Sequence, residues 1–114
     1  MSVNYSPRSA YKTMWLFVFF DLPTLTREQR KEHTKFRKLL EKTGFSRAQF
    51  SVYLKFFSSE DASLSIQKHI KNKLPEMGNI RLLLVTDRQF GKMEVIAART
   101  KVPVEQPLPQ VLLF

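Results

Sequence analysis

A run of seven apolar residues, Met14-Trp-Leu-Phe-Val-Phe-Phe20, is followed directly by Asp21 and then by Pro23. Its length and aromatic content favour a β-strand that is buried on both faces. Proline has no backbone donor and keeps the residue before it out of the helical region. The strand is therefore expected to end near Asp21. A strand that is buried on both faces indicates a sheet at the centre of the fold.

The segments that follow predict a helix and then more sheet. Thr26 and Gln29 have the spacing of a capping box, which predicts a helix from Thr26 to about Lys42. Gly44 is a natural stop for that helix. The stretch Phe45–Phe57 is rich in Phe, Val, Tyr and Leu but long for one strand. It predicts either two strands or one strand with a bulge near residues 49–51.

A second helix and another strand are expected farther along the chain. The helix should run from about Asp61 to Lys73, with Ala62, Ile66 and Ile70 facing inward. Residues 79–86 are predominantly apolar and predict another buried strand.

Beyond residue 86 the sequence predicts a link, a short strand and an extended tail. Residues 87–92 are interpreted as a polar link, and residues 93–98 as a short strand. The predicted domain covers residues 14–101. A flexible extension, residues 1–13, precedes it, and an extended proline-containing tail, residues 102–114, follows it.

The order of these elements is β-α-β-β-α-β with an extra strand. This order predicts an α+β fold of the ferredoxin-like type, in which both helices cover one face of an antiparallel sheet. The strands carry more apolar residues than one covered face requires, so the other face calls for a partner. The simplest partner is a second copy of the chain, which predicts a homodimer.

Composition and charge narrow the class of protein further. The 114 residues are 43% hydrophobic and 12% aromatic, and their net charge is +9. This composition is that of a folded domain, and the excess charge indicates a polyanionic partner, nucleic acid before membrane. There is no cysteine, which excludes disulfides and thiolate sites and fits a reducing compartment such as the cytoplasm. The apolar run is too short to span a membrane.

The positive charge is concentrated in two segments, the first helix with its flanks and residues 81–101. Residues 26–47 carry eight basic and three acidic side chains and residues 81–101 carry five and two, whereas residues 60–76 carry three of each. The alternative interpretation is an ordinary solvated helix face, but this asymmetry favours phosphate contact. The candidate nucleic-acid-binding residues are Arg27, Arg30, Lys31, Arg37, Lys38, Arg88 and Lys92.

Asp21 is the candidate catalytic and metal-binding residue. A carboxylate directly after a buried strand is costly unless it is hydrogen-bonded, paired or bound to a metal, although aspartate is also a common turn residue before proline. One carboxylate is a poor Mg²⁺ site. A two-fold dimer would bring two copies of Asp21 together, with water completing the ligand shell. His33 and His69 lack the spacing of metal ligands and are interpreted as structural.

Several segments together resemble the small CRISPR-associated nuclease-fold proteins of the Cas2 family, most closely the type II members. The segments that carry the resemblance are Phe19-Phe-Asp-Leu-Pro23, Phe36-Arg-Lys-Leu-Leu40, Gly44-Phe45, Gln49-Phe-Ser-Val-Tyr53, Gly78-Asn79 and Val85-Thr-Asp-Arg-Gln-Phe90. Each segment is short, but their order and spacing are specific.

The resemblance implies a ferredoxin-like homodimer that works in CRISPR adaptation, binds double-stranded DNA and scaffolds the integrase subunit during spacer acquisition. It also implies metal-dependent endonuclease activity on RNA or DNA as an alternative or additional function. The metal-binding aspartate of the family corresponds to Asp21, which would share Mg²⁺ or Mn²⁺ with its counterpart in the dimer. By analogy, the tail would add a strand to the other protomer or dock on the integrase.

Overall fold

The computed structural model describes residues 12–98. Four strands and three helices follow one another in this region: β1 (Met14–Asp21), α1 (Arg27–Lys42), β2 (Ser46–Gln49), β3 (Val52–Phe57), α2 (Glu60–Lys71), β4 (Asn79–Thr86) and α3 (Asp87–Gly91). The expected extension, residues 1–13, therefore lies largely outside the described residues, and the expected tail, residues 102–114, lies wholly outside them.

The strands form one antiparallel sheet in the order β2-β3-β1-β4. The two longest strands, β1 and β4, pair over their full length, from Met14 opposite Thr86 to Asp21 opposite Asn79. This topology confirms the predicted α+β, ferredoxin-like fold. The alternative of two strands after α1 is also confirmed, with a register shift between Arg47 and Gln49.

The main core lies between the sheet and the two long helices. Alternate residues of β1, Leu16, Val18 and Phe20, face this side, because successive side chains of a strand point to opposite faces. They pack with Phe36 and Leu40 of α1, Tyr53 of β3 and Ile70 of α2. Each of these side chains is buried, as the apolar pattern predicts.

The opposite face of the sheet is partly covered by α3. Phe90 stacks on Trp15 with 4.6 Å between ring centroids, and the Trp15 Nε1–H donates to Asp87 Oδ1 over 2.7 Å. The interpretation of residues 87–92 as a polar link was wrong, because Thr86 and Gln89 form a capping box that starts a short helix. The expected strand at residues 93–98 is also absent, since these residues have no regular structure and are exposed.

Two further expectations need correction. Ala62 is exposed, and Ser63 instead occupies the inward position near the start of α2. A buried serine is tolerated there because its hydroxyl donates to the carbonyl of Glu60 over 2.6 Å. The strand β4 is not fully buried. It is an edge strand, and Leu83 on its open face is 50% exposed.

None of the helices within residues 12–98 has both the length and the apolar character required to cross a membrane.

Candidate functional site

The helix α1 presents a stripe of cations to solvent. It is fixed at its start by the predicted capping box, in which Gln29 N–H donates to the Thr26 hydroxyl and Gln29 Oε1 accepts from Thr26 N–H. Phe36 and Leu40 anchor its inner side. The cations of the stripe are Arg27, Lys31, Lys35, Lys38 and Lys42. Their spacing of three or four residues places them along one side of a helix, over about 22 Å.

This stripe forms one wall of a groove that lies between α1 and the end of α2 together with the segment that follows α2. The groove has a volume of about 950 Å³. Its other wall includes His69, Asn72 and Lys73. Glu32 is the one acidic residue among the residues that line it. Because so little negative charge offsets the cations, the groove has the electrostatic character of a polyanion-binding surface.

The structure separates the candidate nucleic-acid-binding residues into three groups. Arg27, Arg30, Lys31 and Lys38 line the basic groove, which also contains Lys35, Lys42 and Lys73. Sequence reasoning left these last three lysines out. The signal for two of them was available, since Lys31, Lys35, Lys38 and Lys42 share helical spacing in the sequence.

Arg37 lies on a different side of α1. Its guanidinium pairs with Glu41, with 3.1 Å between Nη1 and Oε2, and the same carboxylate oxygen accepts a hydrogen bond from the Tyr53 hydroxyl over 3.2 Å. Burial, followed by the negative charge of Glu41, raises the pKa of Tyr53 above its ordinary value. Arg37 therefore belongs to a network between α1 and the sheet and does not line the groove.

Arg30 has a structural role in addition to its place at the groove. Its guanidinium donates to the backbone carbonyls of Thr24 and Leu25 over 3.2 and 3.0 Å. These bonds brace the loop between β1 and α1 and occupy one nitrogen of the guanidinium.

Arg88 and Lys92 are far from the groove in the fold. Arg88 is in α3 and Lys92 caps its end, and α3 packs on the face of the sheet opposite to α1 and α2 through Phe90. The sequence-predicted basic residues thus belong to both faces of the molecule.

Asp21 is the last residue of β1, and its side chain is exposed. Asn79 is its partner in the register with β4. The segment after α2 approaches this point closely at Gly78, whose φ is +109°. A Cβ at Gly78 would lie 2.6 Å from the Asp21 carbonyl oxygen. The backbone of Asp21 thus lies at a tightly packed end of the sheet, where β1 ends and β4 begins, while its carboxylate is exposed.

One chain alone offers a divalent metal ion few ligands at this point. No three His, Asp or Glu side chains lie close enough together to hold a metal ion in the region from residue 12 to residue 98. The oxygen ligands of Asp21 suit Mg²⁺ or Mn²⁺, but one carboxylate does not complete a site. The expectation that the ion lies between two copies of Asp21 thus stays a prediction.

Comparison with known proteins places the chain in a family. The family model described as CRISPR associated protein Cas2 matches residues 14–93. A protein of Flavobacterium psychrophilum named CRISPR-associated endoribonuclease Cas2 is 42% identical over 111 residues, which is 97% of this chain and 96% of that protein. A protein of the same name from Paracidovorax avenae is 34% identical over 93% of this chain and 98% of its own length.

The solved structures agree with this result at the level of the fold. A chain described as the crystal structure of cas2 superposes with a TM-score of 0.55 and is 20% identical. The match covers 82% of this chain and 95% of the other. The arrangement of sheet and helices is therefore one that a solved structure also has.

Proposed function

This chain belongs to the Cas2 family of CRISPR-associated proteins, and from that premise we propose that it is a subunit of CRISPR adaptation. In this role it binds double-stranded DNA and scaffolds the integrase subunit during spacer acquisition. The observation that carries the proposal is the basic groove between α1 and α2.

The chemistry of the groove supports DNA binding without sequence readout. Lysine and arginine heads that point into solvent neutralise phosphates and release condensed counterions, which gives affinity but reads no base. The stripe on α1 holds five cations within about 22 Å of helix. That is the length scale of several phosphates along one strand of a duplex.

The open face of the sheet supports a homodimer. Phe56 and Leu83 lie on this face and are 43% and 50% exposed. In the register Phe56 pairs with Trp15, and Leu83 pairs with Phe17. Exposed apolar side chains on one flat face favour association. A second copy packed by a two-fold operation would cover this face in both chains and leave the basic grooves on the outside of the dimer.

The DNA-binding proposal is tested by the salt dependence of affinity. The variant Lys31→Gln/Lys35→Gln/Lys38→Gln/Lys42→Gln removes four cations of the groove. We expect weaker binding to duplex DNA and a slope of log K against log salt that is less steep by about 3–4 for each groove that contacts the duplex. Fluorescence anisotropy with a labelled duplex measures both quantities.

The matched control changes two exposed lysines of α2 that do not line the groove, in the variant Lys68→Gln/Lys71→Gln. The control variant should reduce the salt slope by less than the groove variant does. A second comparison, of Lys31→Gln/Lys35→Gln with the control variant, holds the net charge equal. Equal slopes in these two double variants would mean that DNA responds to net charge and not to the groove, which would contradict the proposal.

Metal-dependent endonuclease activity is the second candidate function, and the position of Asp21 is the observation that favours it. The carboxylate is exposed at the carboxyl end of the central strand β1, and similar proteins are named endoribonucleases. Asp21 from each chain of the dimer would hold Mg²⁺ or Mn²⁺. The ion would supply an activated water and neutralise charge on the phosphate.

The variant Asp21→Asn separates the two candidate functions. It keeps the size and exposure of the side chain but removes its charge. Cleavage of RNA or DNA in the presence of Mg²⁺ or Mn²⁺ should be lost, whereas duplex affinity and its salt slope should stay at the wild-type values. Undiminished cleavage by purified Asp21→Asn protein would show that Asp21 is not the metal ligand.

A further inference from the structure

An aromatic ring projects into solvent at the tip of the hairpin between β2 and β3. Phe50 is 68% exposed, and it lies between Gln49, the last residue of β2, and Val52, the first residue of β3. A ring with both faces covered would present little more than its edge. With this much exposed surface, at least one face of the Phe50 ring must be open to solvent.

The hairpin fixes the ring in place. Ser51, which follows it, has a φ of +66°, a left-handed conformation that is uncommon for residues other than glycine. The carbonyl of Ser51 accepts a hydrogen bond from the backbone N–H of Phe20 over 3.1 Å. The tip is therefore tied to the end of the central strand and is not a freely moving loop.

Planar and cationic groups flank the ring. The imidazole of His33 stacks with Phe50, with ring centroids 5.6 Å apart and an angle of 19° between the planes. The guanidinium carbon of Arg47 is 5.2 Å from the Phe50 centroid. Burial, followed by the charges of Arg37 and Arg47, lowers the pKa of His33. These surroundings favour the neutral imidazole, which forms a flat backing for the phenyl ring.

We propose that the exposed face of Phe50 is a stacking site for an unpaired nucleobase. The inference rests on the proposed nucleic-acid function and goes beyond it, because it adds an unpaired base to the ligands of the protein at a place outside the basic groove. An exposed aromatic ring beside a cation is the arrangement that binds single strands, since each base has a π-face and each nucleotide a phosphate. A base in a closed duplex cannot use the ring, because its faces are already stacked on its neighbours.

The Phe50 ring lies at the same end of the sheet as Asp21. Phe20 is bonded to Ser51 in the hairpin, its ring lies edge-on to His33 with centroids 5.5 Å apart, and Asp21 is the next residue. A nucleotide stacked on Phe50 would therefore lie on the helix side of the sheet, at the end where β1 ends. The Asp21 side chain follows Phe20 in the strand and points to the opposite face, so the stacking site and the carboxylate share an end of the sheet but not a face.

The test measures single-strand affinity in EDTA, so that no cleavage intervenes. Fluorescence anisotropy compares wild type with Phe50→Ala on a labelled single-stranded oligonucleotide at several salt concentrations. We expect Phe50→Ala to weaken binding about tenfold at each concentration, with no change in the salt slope, because stacking contributes to affinity without releasing counterions. Affinity for a blunt duplex should not change.

Two further variants serve as controls. Phe50→Trp restores a stacking ring and should bind the single strand at least as tightly as wild type. Leu64→Ala removes an exposed apolar side chain from α2, where Leu64 is 51% exposed, and it should leave single-strand affinity unchanged.

Three results would overturn the stacking site. The first is wild-type single-strand affinity in Phe50→Ala, and the second is an equal loss in Leu64→Ala. The third is a fall in molar mass of Phe50→Ala by light scattering, which would assign the ring to a contact between copies. If wild type bound neither single strands nor duplex, the proposed function would fail as a whole. If Phe50→Ala kept both the wild-type affinity for the single strand and its steep salt slope, only the stacking site would be rejected, and the proposed function would stand.

Discussion

At Gly78 the chain needs a residue without a side chain. Its φ of +109° is unfavourable for L-residues, and a Cβ there would lie 2.6 Å from both the Asp21 carbonyl oxygen and Leu22 Cδ2. Gly78→Ala should therefore lower the free energy of unfolding by about 3 kcal/mol. Chemical denaturation measures the effect.

Gly91→Ala is the matched control, because nothing lies within 4 Å of the position that its Cβ would take and Gly91 ends the helix α3. Its free energy of unfolding should stay within about 1 kcal/mol of the wild-type value. If the two variants were equally stable, the close approach at Asp21 would not constrain the chain.

His33 makes stability depend on pH. Burial and the neighbouring arginines lower its pKa, so the folded state favours the neutral imidazole and the unfolded state binds the proton more readily. The stabilisation is complete above the ordinary value of 6.5 and is lost as pH falls through the lowered pKa. His33→Gln should show a smaller loss of stability between about pH 7 and pH 5 than wild type.

Leu64→Ala, an exposed change in α2 that removes no titratable group, is the control for this titration and should keep the wild-type loss of stability between the same pH values. A pH profile of His33→Gln that coincides with wild type would contradict the assignment. Urea unfolding at each pH provides the measurement.

The position of Asp21 could be predicted from the residues around it, but its surroundings could not. An apolar run that ends at Asp21 and Pro23 places the carboxylate at the end of a strand. The close approach of Gly78 and the hairpin tip at Ser51 depend on which strands lie beside β1, and these contacts join residues far apart in the sequence.

The short helix α3 covers one corner of the sheet face that is otherwise open. Phe90→Ala should remove the ring stacked on Trp15 and destabilise the docked helix by about 2–3 kcal/mol. Because Trp15 is the single tryptophan, a shift of its fluorescence emission to longer wavelength would report the loss of cover. Arg88→Ala, an exposed change in the same helix, should leave the emission unchanged, and the same emission in both variants would mean that Phe90 does not shield Trp15.

The sequence predicted the helix α1 well, because its caps are visible in the local sequence. It did not predict the helix α3. The capping residues Thr26 and Gln29 and the glycine at 44 predicted both ends of α1 to within about one residue. Thr86-Asp-Arg-Gln89 repeats the same capping pattern. It went unused because a five-residue helix has no apolar period, and its stability depends on the docking of Phe90 against a distant strand.

The open sheet face is the surface through which we propose that two chains associate. Leu83→Glu places a charge on this face, where Leu83 is half exposed and opposite Phe17. The variant should fold but should dissociate a dimer into monomers at micromolar concentration, because a buried unpaired carboxylate opposes association. Leu64→Glu, on the exposed part of α2, should keep the wild-type mass. A dimer that persists in Leu83→Glu would place the interface elsewhere.

The overall charge asymmetry could be predicted from the sequence, but the shape of the groove could not. Eight basic residues within residues 26–47 already indicated a basic face. The second wall depends on how α2 packs beside α1 through Ile70, which brings Lys73 and His69 to the groove. Local patterns do not encode that packing, so Lys73 was found only in the structure.

The molar mass of the protein mixed with a DNA duplex, measured by light scattering at physiological salt, tests the central claim most directly. The account predicts one complex that contains the duplex and two chains, each of 13.4 kDa. A particle of 13.4 kDa that separates from the unbound duplex would contradict it.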